Sequence, residues 1–389
     1  MRGNGEEHEP MSDRTGSICF VGLDNYPVLN PTEGDRYIGG ESVQQTLLAK
    51  AFRKRGFDVS MVVKDVGQRD GEIIDDIRVW KCYADGAGVP VVRFVHPRIT
   101  SVWRALSRAD ADIYYHSCAG MLTGVVAAFC RRYGRTFVFR LAHDTDCIPG
   151  QQLIRFWRDR KIYEYGLRRA DFIVAQGTHQ VELLQANYGL RSSPINMTVE
   201  MAGDVDRTEK DIDVLWVNNL RDFKRPELVL ELAGRLPDTG FTVVGGPVVG
   251  HEALYERMVR ESATRANVDF VGAVPYHEVN DYFLRSRLFV NTSDSEGYPN
   301  SFLQAWVRGV PVVSFFDPDG LIDANRLGAV PEDIDDMAAS LSVLLADDGD
   351  RREIGRVARE FVQANYGPDA VSGAYLALLG GSGEEVVRG

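Results

Sequence analysis

A polar run that follows an apolar segment carries residue types suited to binding and chemistry. Residues 288–290 are apolar, and the loop behind them holds Glu296 ahead of Pro299. A proline suits the first turn of a helix, so we predict a helix that begins near Pro299 with Asn300 and Ser301 at its start. The free amides of that turn form an anion site, and Glu296 can accept hydrogen bonds from hydroxyl groups. The alternative is an ordinary strand-to-helix turn with a surface glutamate.

Two cations follow another apolar segment, at 214–217. Arg221 and Lys224 lie in the polar loop that precedes the next predicted helix. A positive charge at the start of a helix is disfavoured by the helix dipole. A bound anion therefore explains these two residues better than a solvated pair of side chains, which is the alternative.

Glycine, histidine and glutamine supply the remaining candidates. Gly39 and Gly40 stand between the first strand and a helix, where the backbone can approach a ligand, although a flexible loop is the other interpretation. His143 follows a strand at its carboxyl end and can either donate or accept a hydrogen bond. His116 also ends a strand and could line a cleft, but a structural role is favoured for it. Gln304 lies about one turn inside the predicted helix at Pro299.

Strand-like and helix-like segments that alternate along the chain must position these residues. Alternation of this kind predicts an α/β fold with parallel sheets covered on both faces. Ligands then bind beyond the carboxyl ends of the strands. The predicted strands are 17–21, 59–63, 91–95, 112–115, 136–140, 172–175, 214–217, 241–244, 269–271, 288–290 and 310–314, and predicted helices include 43–55, 122–133 and 154–169.

The motifs taken together resemble the donor-site signature of family-4 retaining glycosyltransferases of the GT-B fold. The resemblance is carried by the run Ser-x-x-Glu-Gly-Tyr-Pro-Asn that ends at Asn300, by the Gly-Val-Pro-Val-Val that starts at Gly309, and by similarity over about 17–379. In that family two glutamates separated by seven residues bind the donor. Glu296 matches the first, whereas Gln304 replaces the second, which is a departure that keeps a hydrogen-bond acceptor without the charge.

The resemblance implies roles for the candidate residues. His143, Lys224 and Glu296 become the catalytic group: His143 and Glu296 contact the transferred sugar, and Lys224 neutralises the donor phosphates. The family usually has Gly-Arg at the positions that Asn218 and Asn219 occupy, and Arg221 can substitute for that arginine. The implied donor-binding residues are Gly39, Gly40, Arg221, Lys224, Val274, Glu296, Asn300, Ser301 and Gln304, with Val274 in a loop near the nucleobase and Gln304 at the ribose.

The resemblance also implies an activity. We expect retaining transfer of a hexose-type sugar from a nucleotide-diphosphate sugar to a glycan or lipid-linked acceptor, in polysaccharide or cell-surface glycan biosynthesis. No metal or other cofactor is expected, and the location would be the cytoplasm or the inner face of a membrane. Two alternatives remain: a nucleotide-sugar epimerase of the same fold, which needs no acceptor, and a catalytically degenerate nucleotide-sugar-binding protein. A two-lobed solute-binding protein would require an export signal at the start of the chain.

The expected domain organisation follows the GT-B pattern of two Rossmann-like domains that face each other across a cleft. A charged stretch separates the two halves. We predict a disordered leader at 1–14, an acceptor-binding domain at 15–203, a linker at 204–212, a nucleotide-sugar-binding domain at 213–366, a helix at 367–380 that crosses back to the first domain, and a tail at 381–389.

Composition excludes several classes of protein. The net charge of −12 argues against non-specific nucleic-acid binding. No stretch approaches the roughly 20 apolar residues that span a bilayer. The five cysteines are scattered without a Cys-x-x-Cys pair, which favours reduced thiols over a zinc site.

The segment 154–163 mixes cations with aromatic residues. One interpretation is a weak peripheral contact with a membrane surface. The other is a packed helix whose long cations are solvated, and the negative total charge favours it.

Overall fold

A computed structural model describes residues 16–30, 39–89, 92–203, 209–294 and 298–380. The predicted leader at 1–14, the tail at 381–389, most of the linker at 204–212 and the candidate Glu296 lie outside these ranges. Among the described residues, none of the helices combines the length and the apolar composition needed to cross a membrane.

Eight strands form the first sheet. Its strands are β1 (Ser17–Val21), β2 (Asp58–Asp65), β3 (Ile73–Ile74), β4 (Ile77–Ala84), β5 (Ile113–Ser117), β6 (Thr136–Arg140), β7 (Phe172–Ala175) and β8 (Ser193–Pro194). They are ordered β3-β4-β2-β1-β5-β6-β7-β8, and all neighbours run parallel except β3, which is antiparallel to β4. The order runs outward in both directions from β1 and β5, so the switch point of this sheet lies between those two strands.

Helices cover both faces of the first sheet, as continuous apolar strands require. These helices are α1 (Tyr26–Leu29), α2 (Gly40–Lys54), α3 (Thr100–Ala109), α4 (Met121–Tyr133), α5 (Trp157–Leu167) and α6 (Thr178–Tyr188). One buried cluster contains Phe20 and Phe52 beneath α2. A second cluster on the other face contains Phe129 and Tyr163, from α4 and α5.

The second sheet has six strands, all parallel. They are β9 (Ile212–Val217), β10 (Phe241–Val244), β11 (Val268–Gly272), β12 (Ser286–Asn291), β13 (Val312–Ser314) and β14 (Gly328–Ala329), in the order β11-β10-β9-β12-β13-β14. Its helices are α7 (Glu227–Arg235), α8 (Glu252–Ser262), α9 (Tyr276–Arg285), α10 (Asn300–Trp306), α11 (Leu321–Asn325), α12 (Ile334–Ala346) and α13 (Asp348–Tyr366). The switch point here lies between β9 and β12.

The last helix, α14 (Pro368–Gly380), packs against α2 of the first half. Arg55, the residue that caps the end of α2, donates to the Ser372 hydroxyl at 2.6 Å. The chain therefore returns to the first domain after it completes the second one.

The α/β class with two doubly wound sheets is confirmed, but one predicted strand is wrong. Of the segment 91–95, residues 92–94 form a 3-10 turn, and a short π-helical turn follows from Val95. Pro90 and Pro97 flank the segment, and proline removes the N–H that a strand partner needs. β4 lies beside β2 in that position. It was not predicted because buried and exposed residues alternate at its start, so the strand is not a continuous apolar run.

Candidate functional site

The predicted donor residues follow the two central strands of the second sheet. β9 and β12 are direct neighbours, and the order of the other strands runs away from them in opposite directions. Lys224 comes after β9, and Asn300 comes after β12. Ligands of doubly wound folds bind beyond the carboxyl ends of strands at such a switch point. The fold therefore brings these two candidates to the same edge of the sheet.

Hydrogen bonds link the loops behind β9 and β12. The buried Thr292 hydroxyl donates to the Lys224 carbonyl, lies equally close to the Arg225 carbonyl (2.9 Å in each case), and accepts from the Trp216 indole N–H at 3.0 Å. Arg225 also pairs with Asp294 at 2.8 Å. These contacts fix the backbone that carries Lys224, and nothing in the sequence alone pointed to Thr292.

The two candidate cations share one loop. Lys224 is half-buried in a 3-10 turn, and its ammonium group lies 4.9 Å from the centre of the Phe223 ring. Arg221 stands at the cap of the same turn, and the Lys224 N–H donates to its carbonyl at 3.0 Å. The turn therefore holds both positive side chains at the edge of the sheet.

Asn300 is one point of contact between the second half of the chain and the first. The Gln44 amide of α2 donates to Asn300 Oδ1 at 2.7 Å and to the Thr198 carbonyl at 2.8 Å. A Cβ atom added to Gly40 would lie 2.4 Å from Asn300 Nδ2. The glycine therefore permits a close approach of Asn300 to the backbone, whereas the predicted approach to a ligand stays a prediction.

The helix predicted to begin near Pro299 is α10, which has seven residues. Pro299 occupies the cap position, and Asn300 and Ser301 are the first helical residues. A helix of about two turns has a small dipole, so any anion affinity here depends on the free N–H groups themselves. Gln304 is 9% exposed, and its amide donates to Asn280 of α9 at 3.1 Å.

Glycine-containing loops follow β10 and β11 and lie beside the loop that follows β9. A Cβ atom on Gly245 would lie 2.3 Å from the Asn218 carbonyl, so only glycine allows these loops to approach each other. Leu220 donates its N–H to the Gly246 carbonyl. Val274 is half-buried and packs against the core of the second sheet.

His143 lies at the carboxyl end of β6 in the first half, where its side chain is exposed. The buried Asp146 carboxylate accepts the backbone N–H groups of Ala142 and His143, each at 3.0 Å. Burial raises the pKa of Asp146, and these two hydrogen bonds oppose that rise. Asp146 therefore fixes the turn that presents His143. Asp146 was not among the sequence candidates, although an aspartate three residues after a turn residue often accepts hydrogen bonds from the backbone of that turn.

Glu41 forms a second polar cluster, one residue beyond Gly40. Its Oε1 atom accepts from Gln45 at 2.7 Å and from the Ser117 hydroxyl at 2.9 Å. Burial raises the pKa of Glu41, and hydrogen bonds that include the Cys118 thiol oppose it. Glu41 was not among the sequence candidates. It lies at the carboxyl edge of the first sheet and is half-buried.

A pocket of about 520 Å³ opens at the carboxyl ends of β1, β2 and β4. Its lining includes Lys64, which pairs with Asp24 at 2.9 Å and with Asp85 at 3.1 Å. The size falls within the range of small-molecule sites. This pocket belongs to the half of the chain predicted to bind the acceptor.

His116 has a structural environment. It is 4% exposed, and its Nδ1 atom lies 2.7 Å from the Val21 carbonyl. Because a carbonyl only accepts, Nδ1 carries the proton. Burial lowers the pKa of His116 to about 4, so the ring is neutral at neutral pH.

Within 16–30, 39–89, 92–203, 209–294 and 298–380 no group of three or more His, Cys, Asp or Glu residues could hold an ion. All five cysteines carry free thiols.

Family models match both halves of the chain. The model described as "Glycosyl transferases group 1" matches residues 200–361. The model described as "Glycosyl transferase 4-like domain" matches residues 39–198. The first match spans Lys224, Asn300 and Gln304, and the second spans Gly40 and His143.

A curated relative matches part of the chain. The O-antigen biosynthesis glycosyltransferase WbnH of Escherichia coli is 32% identical over 174 residues, which are 43% of this chain and 46% of the relative. The aligned region thus covers slightly less than half the length of that relative.

Solved structures resemble the protein over nearly its whole length. Sucrose-phosphate synthase from Thermosynechococcus elongatus has a TM-score of 0.75 at 16% identity, with 95% of this chain and 100% of the other covered. Anabaena HepE, solved in complex with UDP and glucose, has a TM-score of 0.71 at 14% identity, with 94% and 100% covered. The likeness extends across both domains, which confirms the predicted GT-B architecture.

Proposed function

Because this chain belongs to the group 1 glycosyltransferases, we propose that it is a retaining enzyme that transfers a hexose-type sugar. The donor is a nucleotide-diphosphate sugar, and the acceptor is a glycan or a lipid-linked glycan. The product belongs to a polysaccharide or another cell-surface glycan, and the enzyme works in the cytoplasm or at the inner face of a membrane. The name of the relative WbnH and the UDP and glucose bound to HepE support this assignment.

One observation carries the proposal: the close approach of Gly40 and Asn300 across the two halves. Gly40 lies at the carboxyl edge of the first sheet, and Asn300 follows the switch-point strand β12 of the second. Lys224 is fixed at the same edge through Thr292. In this proposal, backbone amides from both domains and the Lys224 cation bind the diphosphate together, which the close approach of Gly40 and Asn300 supports.

In the proposed reaction, the acceptor hydroxyl oxygen bonds to the anomeric carbon, and the bond from that carbon to the diphosphate oxygen breaks. The acceptor proton passes to the leaving diphosphate. Lys224 and Arg221 stabilise the negative charge that develops on this group, together with the amides at Gly40 and Asn300.

The remaining candidates orient the substrates in this proposal. His143 and Glu296 contact the transferred sugar, and Gln304 is assigned to the ribose. Gly39 and Ser301 lie beside the diphosphate, and Val274 lies near the base. The reaction as written needs no metal or further cofactor. The pocket beside Lys64 is the proposed acceptor region, where ion-paired carboxylates can accept hydrogen bonds from neutral sugar hydroxyls.

The test is thermal stabilisation of the purified protein by a panel of nucleoside diphosphates and nucleotide sugars. A ligand at a hundredfold excess over its dissociation constant should add about 2.7 kcal/mol of stability. Lys224→Ala removes a charge-assisted contact worth roughly 1.5–3 kcal/mol, so binding should weaken by about tenfold to a hundredfold. Lys50→Ala, which removes an exposed ion pair with Asp75, is the matched control.

Stabilisation by one nucleotide class, reduced in Lys224→Ala and Glu296→Ala but kept in Lys50→Ala, supports the proposal. Absence of stabilisation by every nucleotide in folded protein contradicts the donor site. Conversion of the bound donor without any acceptor would identify an epimerase. Binding without turnover with any glycan acceptor would identify a degenerate binding protein.

A further inference from the structure

Three large apolar side chains are exposed to solvent at the start of α5 or just before it. Leu153 is 76% exposed, Phe156 52% and Trp157 76%. Single exposed apolar residues are normal, but three within five positions form a patch of the kind that marks an interaction surface. The core contacts of α5 come instead from Tyr163 and Leu167.

The packing of α5 explains why these residues point outward. A Cβ atom on Gly124 of α4 would lie 2.3 Å from the Ile162 carbonyl, so α4 and α5 are in backbone contact along one face. The opposite face of α5 begins with Trp157 and continues to Lys161 and to Tyr165, which is 38% exposed. The expectation of a packed aromatic helix is therefore wrong for Phe156 and Trp157.

A second segment joins the same surface. The Arg158 guanidinium lies 3.4 Å from the centre of the Phe94 ring, which places the turn at 92–98 beside the start of α5. Val95, the next residue, is 55% exposed. We name as the basic-aromatic patch the residues Val95, Leu153, Arg155, Phe156, Trp157 and Lys161.

The local charge is opposite to that of the whole molecule. The segments 92–98 and 153–163 contain six cations, namely Arg93, Arg98, Arg155, Arg158, Arg160 and Lys161, and one acid, Asp159. Asp159 pairs with Arg158, and Glu164 pairs with Lys161. The Arg155 guanidinium lies 5.3 Å from the centre of the Phe156 ring. A positive side chain thus lies beside one of the exposed aromatic rings, within a local excess of cations on a protein whose net charge is −12.

The patch lies at the same edge as the candidate site. β6 and β7 are parallel, so the helix between them, α5, runs back from the carboxyl edge of the first sheet. α5 therefore begins, with Trp157, at that edge. The turn at 92–98 precedes α3 and β5 and therefore lies at the same edge. His143 follows β6 there.

We propose that the basic-aromatic patch docks the protein on the surface of an anionic phospholipid membrane. Aromatic rings enter the interfacial region while the cations meet lipid phosphates. Because the patch borders the edge that carries the site, docking brings the cleft toward the bilayer surface. This inference stands on the exposed residues and their charge, and it does not depend on the proposed catalytic reaction.

The experiment is sedimentation of the full chain with two kinds of vesicle, one of phosphatidylcholine alone and one of equal parts phosphatidylcholine and phosphatidylglycerol. Binding is expected only to the anionic vesicles, and it should decrease as salt is raised. The triple variant Leu153→Ser, Phe156→Ser, Trp157→Ser should lose this binding, and Arg155→Gln with Lys161→Gln should weaken it. The matched control is Val249→Ser with Val343→Ser, which alters side chains that are 94% and 67% exposed elsewhere.

Failure of the unaltered protein to bind anionic vesicles, or equal binding by the triple variant, overturns the proposal. A dimer in solution that the triple variant dissociates would identify a second copy as the occupant and would overturn it as well. Nucleotide-dependent stabilisation is measured in the same variants. Its loss in every sample would contradict the proposed function and leave the vesicle result intact.

Discussion

Thr292 shows how one small polar side chain can organise a site that it does not itself line. Its hydroxyl has Trp216 as a donor on one side and the backbone of Lys224 and Arg225 on the other. A serine or threonine behind a strand is common, and its partners here come from a loop 67 and 68 residues away. Local sequence therefore contains no sign of the role, whereas Lys224 was identified from the family resemblance and from a cation placed where the helix dipole disfavours it.

His116 predicts a dependence of stability on pH. Burial lowers its pKa to about 4, compared with 6.5 as the ordinary value. Between these two values the unfolded chain binds a proton that the folded protein does not bind. The contribution of His116 to the free energy of unfolding is therefore complete above pH 6.5 and is lost as the pH falls toward 4, by up to about 3 kcal/mol.

The measurement is urea unfolding across this pH window, for the protein and for His116→Asn. Asparagine can still donate to the Val21 carbonyl but does not titrate. The free energy of unfolding of the variant should therefore decline less steeply as the pH falls. Glu41 and Asp146, whose pKa values are raised, contribute to both curves and cancel in the difference. His277→Asn changes a half-exposed histidine and is the control. An unchanged slope in His116→Asn would refute the assignment.

At the scale of elements, α4 and α5 pack with their backbones in close contact because each contributes a glycine. A Cβ atom on Gly166 would lie 2.5 Å from the Thr123 backbone, and one on Gly124 would lie 2.3 Å from the Ile162 carbonyl. Neither glycine has a positive φ, so the requirement is space and not backbone conformation. Helix periodicity predicts the two helices but not the distance between them.

Gly166→Ala should destabilise the protein because the new methyl group meets backbone atoms that cannot rotate away. Overpacking of this kind costs roughly 1–3 kcal/mol, and we expect the upper part of that range. The measurement is the midpoint of urea unfolding. The matched control is Gly120→Ala, because a Cβ atom at Gly120 would meet nothing within 4 Å. Equal stability of the two variants would contradict the close packing of α4 and α5.

At the scale of the molecule, α14 joins the end of the chain to its beginning. Arg140, 4% exposed at the end of β6, donates to the Tyr375 hydroxyl at 2.8 Å and to the Ile195 carbonyl at 3.0 Å. Tyr375 also lies 3.4 Å from the Tyr115 hydroxyl. A side chain from the far end of the chain therefore supplies one of the acceptors of a buried guanidinium in the first domain.

Tyr375→Phe should lower the free energy of unfolding by roughly 1.5–3 kcal/mol, because it leaves an N–H of a buried charged group without this acceptor. The measurement is denaturant unfolding followed by circular dichroism. Tyr133→Phe, which alters a side chain that is 51% exposed, should change little. If both variants unfold at the same denaturant concentration, α14 does not stabilise the first domain through this contact.

The sequence by itself determined the α/β class, the two doubly wound halves and most of the central strands, because buried parallel strands are short apolar runs that need no knowledge of their neighbours. β6, β7 and β10 begin and end where their patterns predict. It also identified Asn300 from the local rule on helix starts, and the resemblance to a known family added Lys224 and Gly40 as candidates.

Only the tertiary structure decided what depends on partners distant in the chain. It replaced the strand predicted at 91–95 with the half-exposed β4, and it joined Asn300 to Gln44 across 256 positions. It assigned Asp146, Glu41 and Thr292 to positions beside the candidate residues, and it exposed Trp157 to solvent. Each outcome follows from which face of one element packs against another, and local periodicity does not contain that information.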